Sequence, residues 1–154
     1  MSRSTGEWDV VVRPRLTPMF AYGAALIIAT ASIVVGFLFN LRYTGAIIQP
    51  ADQIAVASLG LIIAAAVLLL ALPRVRVGPA GIAVRNVVLE RLVPWNEVVD
   101  VSFPQGSRWA RVDIADYEYV PVLAIQAVDG ERAVDAMDTL RSLMIKYRPD
   151  LSRS

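Results

Sequence analysis

The sequence predicts a membrane α-helical hairpin of two transmembrane helices joined to a small α+β domain, an antiparallel β-barrel of six or seven strands capped by a C-terminal helix. Three observations predict it. Residues 19–39 and 53–72 are long apolar runs without a single Asp, Glu, Lys or Arg, and 40–52 between them is polar. From residue 73 the pattern changes to short alternating segments separated by Gly and Pro. The chain then ends in one amphipathic stretch at 131–147.

Each apolar run has about 20 residues, and an α-helix of that length, at roughly 1.5 Å rise, covers the ~30 Å hydrocarbon core of a bilayer. In lipid the backbone must satisfy its own hydrogen bonds, so both runs should be helical throughout. Arg3, Arg13 and Arg15 precede the first run, and Arg74, Arg76, Arg85 and Arg91 follow the second, whereas 40–52 holds only Arg42. The positive-inside rule therefore puts both termini in the cytoplasm and 40–52 outside, in a multi-pass protein of the cell membrane. Gly60 and Ala64 form a small-xxx-small pair, which lets helix backbones approach closely. That face serves either packing within the hairpin or docking of another membrane protein. Neither run carries a charge of the kind that marks ion or proton pathways. Residues 1–6 do not read as a secretory signal, because the apolar run starts late and lacks a small-residue cleavage site.

The arm 1–18 contains 8–13, Trp-Asp-Val-Val-Val-Arg, whose alternation and β-branched content favour a strand. It is either an interfacial arm or a strand added to the C-terminal domain. Pro14 and Pro18 bracket a short extended linker. In the domain, 73–154, six strands are expected: 74–77, 82–85, 88–93, 98–103, 109–114 and 117–128. The segment 78–81, Gly-Pro-Ala-Gly, is a turn. Val99, Val101 and Phe103 should point inward, as should Ala110, Val112 and Ile114. Pro121 marks an edge or a bulge. On the helix 131–147, Val134, Met137, Leu140, Met144 and Tyr147 share one stripe that must cover an apolar surface. Its acidic start and its Lys146 end suit the helix dipole.

Composition narrows the chemistry. There is no Cys and no His among the 154 residues, which removes thiol catalysis, thiolate metal sites and the commonest general base. Neither a nucleotide-binding glycine loop nor a calcium-loop pattern occurs. Asp113, Asp116 and Glu118 read as a solvated turn. Residues 73–154 carry eleven basic and eleven acidic side chains, a balance that argues against nucleic-acid binding. No enzyme, metal or cofactor is expected.

Several short stretches resemble a known family. They are Arg13-Pro14 before the first run, RVRVGPAGIAVRN from Arg74, VPWNEVVDVSFP with Trp95, and GSRWARV with Trp109. Together they resemble the bacterial pleckstrin-homology (PH)-like domain membrane proteins of the actinobacterial low-molecular-weight antigen 6 type. The resemblance covers essentially the whole chain, and it implies a PH-like fold tethered to the membrane. It carries no enzymatic activity with it.

Two functions follow from these readings. One is a non-enzymatic, membrane-anchored interaction module, an adaptor or accessory subunit whose partner is a membrane protein or a second copy. The other is a sensor of anionic lipid headgroups at the inner leaflet. The candidate contact residues are Arg74, Arg76, Arg108, Trp109 and Arg111. Trp109 is either an interfacial anchor or ordinary packing, whereas Trp95 should pack the core.

Overall fold

The computed structural model describes residues 8–38 and 49–151. The elements run β1 (Val10–Val12), α1 (Leu16–Leu38), α2 (Pro50–Leu68, prolonged by a 3-10 turn Leu69–Ala71), β2 (Arg74–Gly78), β3 (Gly81–Arg85), β4 (Glu90–Val93), β5 (Val98–Ser102), β6 (Trp109–Ile114), β7 (Tyr119–Gln126) and α3 (Glu131–Tyr147). The strands form two antiparallel sheets, ordered β1-β2-β3-β4 and β5-β6-β7. The seventh strand is β1, with Val10 opposite Val77 and Val12 opposite Val75. Residues up to Leu16 and from Leu72 onward make one compact unit, and Thr17–Ala71 makes the other. The helical hairpin is therefore an insertion between two hydrogen-bonded neighbouring strands.

In the β-rich unit the alternation decides what is buried. Val75 and Val77 face inward from β2 while Arg74 and Arg76 face outward, and Ala110, Val112 and Ile114 face inward from β6. Trp95 is buried as expected: its indole N–H donates to Gly78 O at 2.8 Å, and its ring stacks on Tyr147 with centroids 5.2 Å apart. Two expectations need correction. Val99 points to solvent, because a register shift between Val98 and Asp100 inserts one residue and breaks the alternation. Val98 takes the core position in its place, while Val101 is buried and Phe103 packs against the core as expected. Val134 is exposed too, with Ala133 buried in its place, while Met137 and Leu140 are buried and Met144 and Tyr147 pack against the core as expected.

Several element ends also differ. The strand expected at 88–93 begins at Glu90, which leaves Val88 and Leu89 in an exposed loop. The strand expected at 117–128 is Tyr119–Gln126; before it, Asp116 and Tyr117 both adopt left-handed φ in a 3-10 turn. Pro121 lies on β7, an edge strand of the three-stranded sheet, where a missing N–H is tolerated. Just past β3, the Asn86 side chain donates to Pro121 O at 2.9 Å and accepts from Leu123 N–H at 3.2 Å. One amide thus reproduces a pair of ladder hydrogen bonds between the two sheets.

The end of α3 is tied back to the N-terminal segment. The Asp9 carboxylate accepts a hydrogen bond from the Tyr147 hydroxyl and lies 3.4 Å from Lys146 Nζ. The tyrosine bond first, and the lysine charge second, hold the Asp9 pKa below the usual carboxylate value. A depressed acid stabilises the fold above its unfolded pKa and ceases to do so as pH falls through the folded value. Asp9→Asn should therefore melt earlier than wild type at neutral pH, and the difference should close below about pH 4. Thermal melts of the full chain in mild detergent across pH 3–7 check this. A difference that stays constant to pH 3 would sink the latch.

In the second unit, α1 and α2 are long and apolar enough to cross a membrane, with mean hydropathies of 2.1 and 2.8. Only 17% and 11% of these spans is buried, so most of their apolar side chains lie exposed. The first helix starts at Leu16, earlier than expected, because Pro18 sits in its first turn, where a missing N–H costs nothing. The second starts at Pro50: the Asp52 carboxylate accepts the Gln49 N–H at 2.9 Å, so 49–52 belongs to a helix start rather than a loop. Most of the expected external loop, up to residue 48, lies outside the described residues, as do Arg3 and Arg42.

Candidate functional site

The turn at 78–81 pairs Gly78 with Gly81, and this register carries Arg74 directly opposite Arg85. The next pairing sets Arg85 opposite Glu90. One row across the outer face of the four-stranded sheet thus reads basic, basic, acidic. Arg76 adds a second basic residue on β2. Among the described residues one carboxylate serves two of them, since Glu90 accepts from Arg76 Nη2 and lies 3.4 Å from Arg74 Nη2. The Arg76 guanidinium also stacks over the Trp8 ring, 4.6 Å from its centroid.

Like charges directly opposite each other on a sheet repel. Here they are also partly shielded from water, which strengthens the repulsion. The Nε atoms of Arg74, Arg76 and Arg85 are all buried without a hydrogen-bond acceptor. A buried donor left unpaired costs roughly 1–3 kcal/mol. The face therefore lacks acceptors and negative charge in one place. Arg85 was missed as a site residue, although the turn register makes it readable: residues 74 and 85 lie equally far outside the 78–81 turn.

The other expected contact residues lie on the second sheet. Arg111 is already engaged, with Asp113 at 2.8 Å, Ser102 Oγ at 3.1 Å and the Tyr119 ring at 5.3 Å. Arg108 precedes β6 and is exposed, and Trp109 is partly exposed at the strand's first position. Arg74 and Arg76 thus form a cluster with Arg85, on a different sheet from Arg108, Trp109 and Arg111. Among the described residues no group of acidic side chains is arranged to hold a metal ion. Where the chain leaves β1, a cleft of about 310 Å³ is lined by Arg13, Arg15 and Arg132 together with Asp129 and Asp135. Asp129 also accepts the Leu16 N–H at 3.2 Å.

In the helical hairpin Gly60 and Ala64 are both buried. A Cβ on Gly60 would stand 1.8 Å from Ser32 Oγ and 2.1 Å from Ser32 Cβ. Across the same contact, a Cβ on Gly36 would stand 3.5 Å from Gln53 O. These small residues let α1 and α2 touch.

Comparison with known proteins adds the family. A family model described as a bacterial PH domain matches residues 72–143. Uncharacterized proteins of Mycobacterium tuberculosis and Mycobacterium bovis are 58% identical over 151 residues, covering 98% of both chains. The chain belongs to the bacterial PH domain family. No solved structure matches it. Four strands, three strands and one closing helix are the elements of that fold. In this bacterial PH domain the first strand stands before the apolar helices and the other six after them.

Proposed function

We propose that this bacterial PH domain is a non-enzymatic, membrane-anchored interaction module, an adaptor or accessory subunit of a membrane protein assembly. The insertion of two apolar helices between β1 and β2 carries this reading. Because Val10–Val12 and Arg74–Gly78 are neighbours in one sheet, two spanning helices between them must begin and end on the same side of the bilayer. The arginine-rich flanks put that side in the cytoplasm. The domain is then held at the inner surface of the cell membrane by the exit of β1 and the entry of β2. PH-like families are generally non-catalytic and serve interaction. The test is purification of the full chain from native membranes in mild detergent, with mass spectrometry. A membrane protein retained at fixed stoichiometry supports an accessory subunit. A chain recovered alone counts against it.

A second reading, recognition of anionic lipid headgroups, is favoured by the arginine cluster on the outer sheet face. Among the described residues Arg74, Arg76 and Arg85 outnumber the one carboxylate paired with them and hold three unpaired Nε donors, which suits a phosphate oxygen. Arg108 and Arg111 are less suited, since Arg111 is already neutralised. The full chain, extracted from nanodiscs of equal phosphatidylcholine and phosphatidylglycerol, should retain phosphatidylglycerol preferentially. Arg85→Gln should abolish that preference and Arg108→Ala should leave it. Equal retention of both lipids by wild type would remove this reading.

A further inference from the structure

We infer that the β3–β4 loop is a wedge that inserts into the interfacial layer of the bilayer the hairpin occupies. Val88 and Leu89 at its tip are 61% and 86% exposed, and Tyr119 beside them is 55% exposed. These side chains share a cleft of about 540 Å³ with Val87, Val120 and Arg91. The Asn86 amide pins the loop's base to β7, so the tip is presented on a fixed support rather than a loose one.

The position of this loop identifies its occupant. Val12 pairs with Val75 and Arg74 pairs with Arg85, so the exit from β1, the entry to β2 and the β3–β4 loop all lie at one end of the four-stranded sheet. Three residues join β1 to α1, and two join the 3-10 turn after α2 to β2. A chain advances at most ~3.3–3.6 Å per residue, so the connectors allow no more than about 14 Å between Val12 and Leu16 and about 11 Å between Ala71 and Arg74. The headgroup layer is itself roughly 5–8 Å deep on each side of the hydrocarbon. Aliphatic tips at that end are thus within reach of lipid, and a tyrosine beside them suits the interface. Arg85 and Arg91 flank the loop and match anionic headgroups in sign. Tyr117, although fully exposed, is left out of the wedge because Asp116 and Glu118 flank it.

This inference rests on the membrane-anchored reading, and the chain's lack of cysteine allows the two to be tested separately. Three single variants, Leu89→Cys, Glu97→Cys and Leu59→Cys, are labelled with an environment-sensitive fluorophore. Each full-length protein is reconstituted into phosphatidylcholine and phosphatidylglycerol vesicles. Glu97 is exposed at the β4–β5 corner, away from the connections, and Leu59 is exposed midway along α2. The label at Leu89 should be quenched several-fold more by shallow spin-labelled lipid than the label at Glu97, and be shielded from aqueous iodide. If it responds to iodide as Glu97 does, the wedge is wrong. If it is shielded from both quenchers, protein rather than lipid covers the loop, and the inference is equally overturned. Failure of deep spin-labelled lipid to quench the Leu59 label would instead overturn the spanning hairpin.

Discussion

Gly81→Ala should cost the β-rich unit at least about 3 kcal/mol, because it combines backbone strain with a clash that has no soft partner. Gly81 has φ of +135°, where side chains are rarely accommodated. A Cβ there would stand 2.2 Å from Val93 O and 2.8 Å from Pro94 Cα, both backbone atoms. Relief requires moving the end of β4 away from β3, and Pro94 leads directly into Trp95. Trp95 in turn bonds Gly78 O and stacks on Tyr147, so the displacement reaches the closing helix. Gly106→Ala is the control: its φ is +77° but open space surrounds it, so only the conformational cost remains, about 1–2 kcal/mol. Urea unfolding of the full chain followed by tryptophan fluorescence separates the two. Equal losses would show that the contact with β4 does not matter.

Gly60→Ala should loosen the helical hairpin by about 1–3 kcal/mol, the usual range for overpacking a close contact. The Ser32 hydroxyl can turn aside, but its Cβ, 2.1 Å from the added methyl, cannot. The helices must then separate. Ser32→Ala should therefore fail to rescue Gly60→Ala, while Ser32→Gly should restore it. Ser32→Gly alone should be milder, since the hydroxyl bonds only within its own helix, to Ile28 O at 2.8 Å. Melting temperature in mild detergent, with the distance between spin labels on the exposed Leu26 and Leu61, reports the result. A Gly60→Ala hairpin with unchanged spacing would point to an external partner on that face.

What could be read in advance depended on how far each signal reaches along the chain. The helices were readable because lipid tolerates neither charge nor unpaired backbone, so 19–39 and 53–72 announce themselves residue by residue. The 74–85 hairpin was readable because glycines fix its turn and alternation then fixes both faces. Pairing of 10–12 with 75–77 is different in kind. Its partner lies on the far side of the helices, and three valines carry no mark of which edge they join. Asn86 follows β3 with no local partner to announce it, and its amide finds β7 only once two sheets are stacked. The bulge between Val98 and Asp100 displaced Val99 because one inserted residue leaves composition unchanged while breaking the alternation, so Val98 and Val101 are both buried. The charge count over 73–154 gave neutrality, and hid the local excess that cross-strand pairing gathers at Arg74, Arg76 and Arg85.

The placement of the apolar helices within the first sheet has a consequence for how the protein is made. If both helices span the bilayer as proposed, strand β1 leaves the ribosome before β2 and waits, unpaired, while they are synthesised and inserted. Its docking site on β2 arrives only afterwards, on whichever side the second helix emerges. Were one helix to fail to insert, β1 and β2 would end on opposite sides of the membrane and the four-stranded sheet could not close. On that reading, completion of the four-stranded sheet would check the membrane topology. A misthreaded chain would expose the edge of β2 and the valines beneath it, the kind of surface that quality-control proteases recognise.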